Sequence, residues 1–249
     1  MNNYHFFNYD NTLEGLFTLV FEKYKCIEHA YIKPTSVQTN FFDDVNFVVT
    51  DLSKADRVKK SITKNFGNYF LTQILYVYCS YHDNKEDIIA KTIKGMYVYG
   101  KDFLYSSNKF AVEFNKIVKK VAREIHTFKG LLRFKEIEGG VLFAEFSPDS
   151  DILYFLIRHF KERMPDENFI IYDSYRNYAA FYFDKKVEFI SVENFDIKET
   201  SEEKFFKDIW CNFYNSVSIK ERKNTKLMKN NMPIKYWKYL PEKNNIKIL

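Results

Sequence analysis

The sequence is poor in the residues that punctuate or staple a chain. It has only seven glycines, five prolines and three cysteines. Cys26, Cys79 and Cys211 are odd in number and widely separated, with no C-x-x-C and no Cys/His cluster. That spacing supports neither a disulfide framework nor a structural zinc site, and the scattered His5, His29, His82, His126 and His159 suggest no metal ligation. No apolar run approaches the roughly 20 residues that span a bilayer. The opening Met1-Asn2-Asn3-Tyr4-His5 lacks the charged-then-apolar order of a signal peptide, so a cytoplasmic location without membrane contact is expected. H-E-x-x-H, P-loop, G-x-G-x-x-G and G-x-S-x-G patterns are all missing. No repeat or low-complexity tract is visible.

What is abundant is aromatic side chain and positive charge in one place. Phe and Tyr number 26 and 19, and aromatics make up 19% of the chain. A Lys-, Asn- and Phe-rich coding bias explains that share, and so do platforms for stacking bases. The net charge is +5, but residues 217–249 carry nine Lys or Arg against two Asp or Glu, so the remainder is near neutral. A basic tail with interleaved aromatics suits a polyanion; a solvated surface segment is the alternative. Within it Arg222, Lys226 and Lys235 are candidate phosphate contacts, while Met232, Tyr236 and Trp237 read as groups that dock the tail on the core.

The most informative stretch is 123–134. Phe110, Phe114, Ile117, Val118, Val121, Ile125 and Phe128 follow the i, i+3, i+4, i+7 spacing of one helical face. Gly130 is expected to end that helix and Leu131–Phe134 to begin a strand. At about 100° per residue, Arg123 and His126 fall away from the apolar stripe and Glu124 at its edge. With Arg133, these four groups cluster around one helix-to-strand junction.

Before the junction, a short strand at 5–9, a capped helix to about 25, a strand at 47–50 and helices near 55–64, 67–80 and 84–98 are expected, with an irregular stretch at 26–45. After it come strands at 131–138 and 141–147 joined at Gly139-Gly140, a helix from about 151 to 164, strands at about 169–173, 178–183 and 187–192, and a helix from 201 to about 217. The expected class is α+β: a mainly helical N-terminal region, 1–104, then an α+β region, 105–249, with an antiparallel sheet of about five strands flanked by helices and a basic tail. The two regions can also form one compact domain.

Two anomalies point to chemistry. His159 and Arg163 fall within or beside the apolar arc Ile152, Leu153, Leu156, Phe160. A guanidinium there needs an anion, either a carboxylate of this chain or a ligand phosphate. Asp173 alternates onto the face of Phe169 and Ile171, with Arg176 in the turn that follows. Asp173 either pairs with Arg176 or orients His126 or His159 for acid–base work.

Taken together, Tyr9-Asp10, Leu13-Glu14-Gly15-Leu16, Val121, Arg123-Glu124, His126, Phe128, Gly130, Arg133-Phe134, His159-Phe160, Arg163, Asp173, Arg176, Trp210, Ile219, Glu221-Arg222, Asn224, Met232-Pro233 and Tyr236-Trp237 make the chain resemble, nearly end to end, a bacterial family assigned to DNA metabolism or DNA repair, a domain of unknown function. Where family members have glycine after the opening Tyr-Asp, this chain has Asn11. The resemblance implies a DNA-directed role beside a partner radical S-adenosylmethionine protein, with the iron–sulfur cluster and S-adenosylmethionine in that partner and no cofactor in this chain. Related domains occur fused to uracil-DNA-glycosylase-like domains.

Three functional readings remain open. In the first, the chain binds DNA or a nucleotide-like anion through Arg123, Arg133, Arg163 and Arg176, with the tail adding backbone contacts. In the second, it is a phosphodiesterase or a base- or nucleotide-processing hydrolase, with His126 or His159 as acid or base oriented by Asp173 or Glu124. In the third, it is a non-catalytic adaptor whose polar groups are internal salt bridges.

Overall fold

The computed structural model describes residues 5–35, 45–193, 195, 197–217, 219, 222 and 224–244. The chain gathers into two compact units, Met1–Ala122 and Arg123–Leu249.

The first unit is built on a three-stranded parallel sheet. Its central strand, β1 (His5–Tyr9), pairs with β2 (Ala30–Pro34) on one side and β3 (Val45–Phe47) on the other. Phe7 and Tyr9 point into the core, as period-two alternation requires. Asp10 then ties the turn: its carboxylate accepts from the Thr12 amide (3.0 Å) and hydroxyl (2.6 Å) and from the Thr50 hydroxyl (2.7 Å). Thr12 in turn caps α1 (Leu13–Glu22) by accepting from Gly15 N–H. Asn11 sits between them at φ 60°, the left-handed region that glycine adopts without cost.

Helices α2 (Leu52–Phe66), α3 (Asn68–Tyr78) and α4 (Lys85–Tyr99) follow. They bury Ala55, Val58, Ile62, Phe70, Ile74, Val77, Ile89 and Ile93. The boundary expected at 104/105 falls inside this unit, and just before it Phe103 is buried against Gly95, where a Cβ would strike its ring. Helix α5 (Lys109–Leu131) gives its first residues to this unit and its last to the second.

The expected helix stop at Gly130 is corrected. Gly130 keeps a helical backbone, α5 runs to Leu131, and Leu132 N–H still donates to Phe128 O at 3.0 Å. Continuing the turn buries Leu132 beyond Phe128, so the strand starts only at Lys135.

The second unit carries a five-stranded sheet in sequential order: β4 (Lys135–Ile137), β5 (Val141–Phe146), β6 (Phe169–Asp173), β7 (Tyr178–Phe183) and β8 (Lys186–Ser191). The purely antiparallel sheet expected from sequence is corrected to a mixed one, because β5 and β6 run parallel, Phe143 beside Ile170 and Phe146 beside Asp173. The cause is α6 (Leu153–Arg163): a helix between neighbouring strands returns the chain in its original direction. The other pairs are antiparallel. Gly139 and Gly140 adopt φ 91° and 71° in the β4–β5 turn, and Asp184 and Lys185 adopt φ 48° and 65° in the β7–β8 turn.

Every residue of β6 is buried. Leu153, Leu156, Ile157 and Phe160 of α6 are buried as well. Phe143, Ile170, Tyr172 and Ala179 form a sheet cluster, with Phe181, Phe195 and Ile197 packed on it. Helices α7 (Ser201–Ser216), α8 (Thr225–Asn231) and α9 (Pro241–Asn244) complete the unit. No helix among the described residues is long and apolar enough to cross a membrane.

Candidate nucleic-acid interface

The turn between β5 and α6 explains where most of the conspicuous polar residues go. Glu124, buried near the end of α5, accepts from the Asp149 amide at 2.7 Å and the Ser150 amide at 3.1 Å. Tyr236 O–H reaches the same carboxylate at 3.3 Å, and burial and then that carboxylate push the Tyr236 phenol well above its usual range. From the other side, Arg176 Nη1 donates to Asp173 Oδ2 (2.8 Å) and to Pro148 O (3.3 Å), and Nη2 to Asp149 O (2.6 Å). Lys235 closes the ring with an ion pair to the Asp149 carboxylate at 2.6 Å. The backbone polar groups of a buried turn must find partners, and here one carboxylate and one guanidinium supply four of them. Asp173 is wholly buried, and burial raises its carboxyl above the usual range even with Arg176 beside it.

Arg133 is spent in a similar way. It donates to Gly130 O (2.8 Å) and to Glu242 Oε1 (2.7 Å), and its guanidinium lies over the Trp210 ring. Trp210 Nε1 donates to the other oxygen of Glu242 at 2.9 Å. Burial works to raise the Glu242 carboxyl, but these donors more than offset it and hold it below its usual range. Beside this tether a cavity of about 370 Å³ is lined by Lys135, Glu145, Glu199, Lys207 and Lys238, among others. Glu199 bridges Lys135 (2.8 Å) and Lys207 (2.5 Å), so cations and carboxylates balance there.

The remaining predicted residues face solvent. Arg123 and His126 are exposed and make no hydrogen bond or ion pair among the described residues. Arg163, expected within an apolar arc, is exposed because it is the last residue of α6 and its side chain leaves the helix end. His159 is half-buried one turn earlier. Desolvation first, then the nearby Lys129 and Arg163 charges, lower its pKa, against a smaller opposing effect of Glu162. Neither Lys129 nor Arg163, which belong to different helices, has an ion pair among the described residues. In the tail, Arg222 and Lys226 are exposed, whereas Lys235 belongs to the turn clamp. Tyr236 and Trp237 are buried.

The sequence-predicted residues thus separate into two groups. Glu124, Arg133, Asp173, Arg176 and Lys235 hold the fold. Arg123, His126, His159, Arg163, Arg222 and Lys226 are left available at the surface. No hydrogen bond or ion pair among the described residues joins His126 or His159 to Asp173 or Glu124. None places three His, Cys, Asp or Glu side chains together to hold a metal ion. Lys129 is the contributor that sequence reasoning missed. It lies next to Gly130, one turn after His126, and its helical spacing was the available signal. Glu242 was also missed, and nothing local could have found it, since its partner lies more than a hundred residues away.

No curated protein matches the chain. A family model described as a domain of unknown function, DUF4130, matches residues 83–242, which is more than half of the chain and includes α5, the mixed sheet and the clamped turn. The chain belongs to the DUF4130 family.

Proposed function

We propose that this chain binds nucleic acid, or a nucleotide-like anion, and serves in DNA metabolism or repair beside a radical S-adenosylmethionine protein in a bacterial cytoplasm. The iron–sulfur cluster and S-adenosylmethionine belong to that partner in this reading. The observation that carries it is that Arg163, exposed at the end of α6, and Lys129, near the end of α5, form no ion pair among the described residues. Surface cations left without a partner of this chain favour an anion that neutralises them. Arg123, His126, Arg222 and Lys226 add exposed groups suited to phosphate contact.

The test is a titration of the full chain against labelled DNA over a range of salt. Affinity is expected to fall linearly on logarithmic axes, with a slope of about 0.9 per phosphate neutralised on duplex DNA. Replacing Lys129 and Arg163 together by Ala is expected to reduce that slope by about 2. Binding indifferent to salt, or none at all, refutes the reading. Co-purification of the chain with a radical S-adenosylmethionine protein from the same cell tests the partnership separately.

The adaptor reading is favoured by a different observation. Phe205, Phe206, Ile209 and Phe213 of α7 stay exposed, while Arg133 and Arg176 are neutralised within the chain. An exposed apolar stripe of this kind suits a protein contact, and it is compatible with nucleic-acid binding elsewhere on the unit.

A further inference from the structure

Helix α6 does more than deliver Arg163. Its buried residues, Leu153, Leu156, Ile157 and Phe160, occupy one arc. At about 100° per residue, Tyr154, Arg158 and Lys161 then form one row outside that arc. All three are exposed. The Tyr154 ring is 55% exposed, packs only edge-on against Phe155 at 5.6 Å, and its hydroxyl has no hydrogen-bond partner among the described residues. Among the described residues, Arg158 is engaged only by Glu162, at 3.9 Å and with both side chains about 70% exposed. A pair that open and that long contributes little and is readily exchanged for another anion.

The helix therefore presents an unoccupied aromatic face one turn from a loosely held guanidinium. Lys161 lies beyond them in the same row, while Arg163 falls on the other side of the helix. Bases inside a duplex are already stacked on each other and offer edges, not faces, to such a ring. Unpaired bases offer a π-face to any exposed aromatic group, while the backbone follows the cations. We infer that this side of α6 is a binding site for single-stranded nucleic acid, with Tyr154 stacking on an unpaired base and Arg158 and Lys161 holding flanking phosphates. This rests on the nucleic-acid reading above and names the form of nucleic acid it takes.

The test compares a labelled oligothymidylate with a duplex of equal length, using the full chain and fluorescence anisotropy at several salt concentrations. The single strand is expected to bind more tightly. Tyr154→Ala is expected to weaken single-strand binding about 5- to 100-fold with the salt slope unchanged. Tyr154→Phe, which keeps the ring, is expected to bind as the parent does. Arg158→Ala is expected to lower the single-strand slope by about 0.7 instead. Both positions are exposed, so the three variants are expected to keep the parent's circular dichroism. If Tyr154→Ala binds the single strand as tightly as the parent, or if the duplex is preferred, the inference falls while nucleic-acid binding stands. If neither form binds, both fall together.

Discussion

Glu124 separates a structural from a catalytic account of the residues around α5, and its removal has a calculable cost. The carboxylate satisfies two backbone amides of a buried turn, Asp149 N–H at 2.7 Å and Ser150 N–H at 3.1 Å, together with the Tyr236 hydroxyl. Glu124→Ala leaves both amides without a partner where water has little access. Each orphaned donor costs about 1–3 kcal/mol, so the variant is expected to lose about 2–6 kcal/mol. That is a large part of the roughly 5–15 kcal/mol that stabilises an ordinary domain. Glu124→Gln keeps one acceptor oxygen but turns an amide NH₂ toward the other donor, so about half of the loss is expected. The assay is built into the sequence, because both tryptophans, Trp210 and Trp237, lie in the second unit. Intrinsic fluorescence in urea therefore follows that unit alone. With an m-value of about 2 kcal/mol per molar urea, the Ala variant is expected to shift the midpoint down by about 1–3 M. A midpoint unchanged within error refutes the clamp. A lost activity with an unchanged midpoint returns Glu124 to the catalytic list.

Other perturbations test the same reasoning elsewhere. Arg133→Ala strands the wholly buried Glu242 carboxylate with Trp210 as its remaining donor, and a loss of about 3–5 kcal/mol is expected in the same fluorescence assay; a loss below about 1 kcal/mol contradicts the buried pair. Gly15→Ala drives a methyl into Asp10 Oδ1 and within 2.9 Å of Thr50 Oγ1. It should lower the thermal midpoint of the first unit by circular dichroism, and an unchanged midpoint shows that Asp10 can move freely. Burial raises the Glu86 carboxyl above its usual range, so the folded state holds a proton more tightly than the unfolded chain. Glu86→Gln is therefore expected to gain stability at neutral pH, with the gain shrinking as pH falls through that raised value toward the usual carboxylate range; a loss at pH 7 contradicts this. His159 titrates below its usual value, so Lys129→Ala or Arg163→Ala should raise its pKa, as should bound DNA. An imidazole proton titration by NMR reads all three, and an unmoved His159 removes the cationic group from the argument.

Features that rest on neighbours in sequence were legible, and features that rest on distant partners were not. The apolar stripe of α5 and the Gly139-Gly140 turn are local, and both are present. The parallel pairing of β5 with β6 joins strands more than twenty residues apart, and the hairpins on either side of it are antiparallel. The helix between those two strands was itself expected, and the crossover rule applied to it identifies the parallel pair. Gly130 misled because glycine permits a helix to stop without requiring it, and burial of Leu132 rewards one more turn. Asp173 with Arg176 was one of two readings left open, and the short-range ion pair is the one formed. Glu124 and Arg133 were singled out as chemically notable, but their partners lie 25 and 109 residues away, beyond anything periodicity reveals.

The same residue types thus meet two fates on one unit, decided by whether a buried carboxylate or carbonyl lies within reach. Arg133 and Arg176 are enclosed and directional, and each completes hydrogen bonds that nothing else supplies. Breaking them costs folding free energy at any ionic strength, because buried pairs are screened little. Lys161 and Arg163 are exposed and without an ion pair among the described residues, and repulsion among such surface cations slightly opposes the folded state. Salt screens that repulsion over about 10 Å at 0.1 M, and a polyanion relieves it directly while gaining affinity from displaced counterions. A ligand that uses the surface group must therefore stabilise the unit more at low salt than at high salt. A ligand seated in the charge-balanced cavity beside Glu199 must show almost no such dependence. The salt dependence of ligand-induced stabilisation, read through Trp210 and Trp237, distinguishes the two places without any substitution.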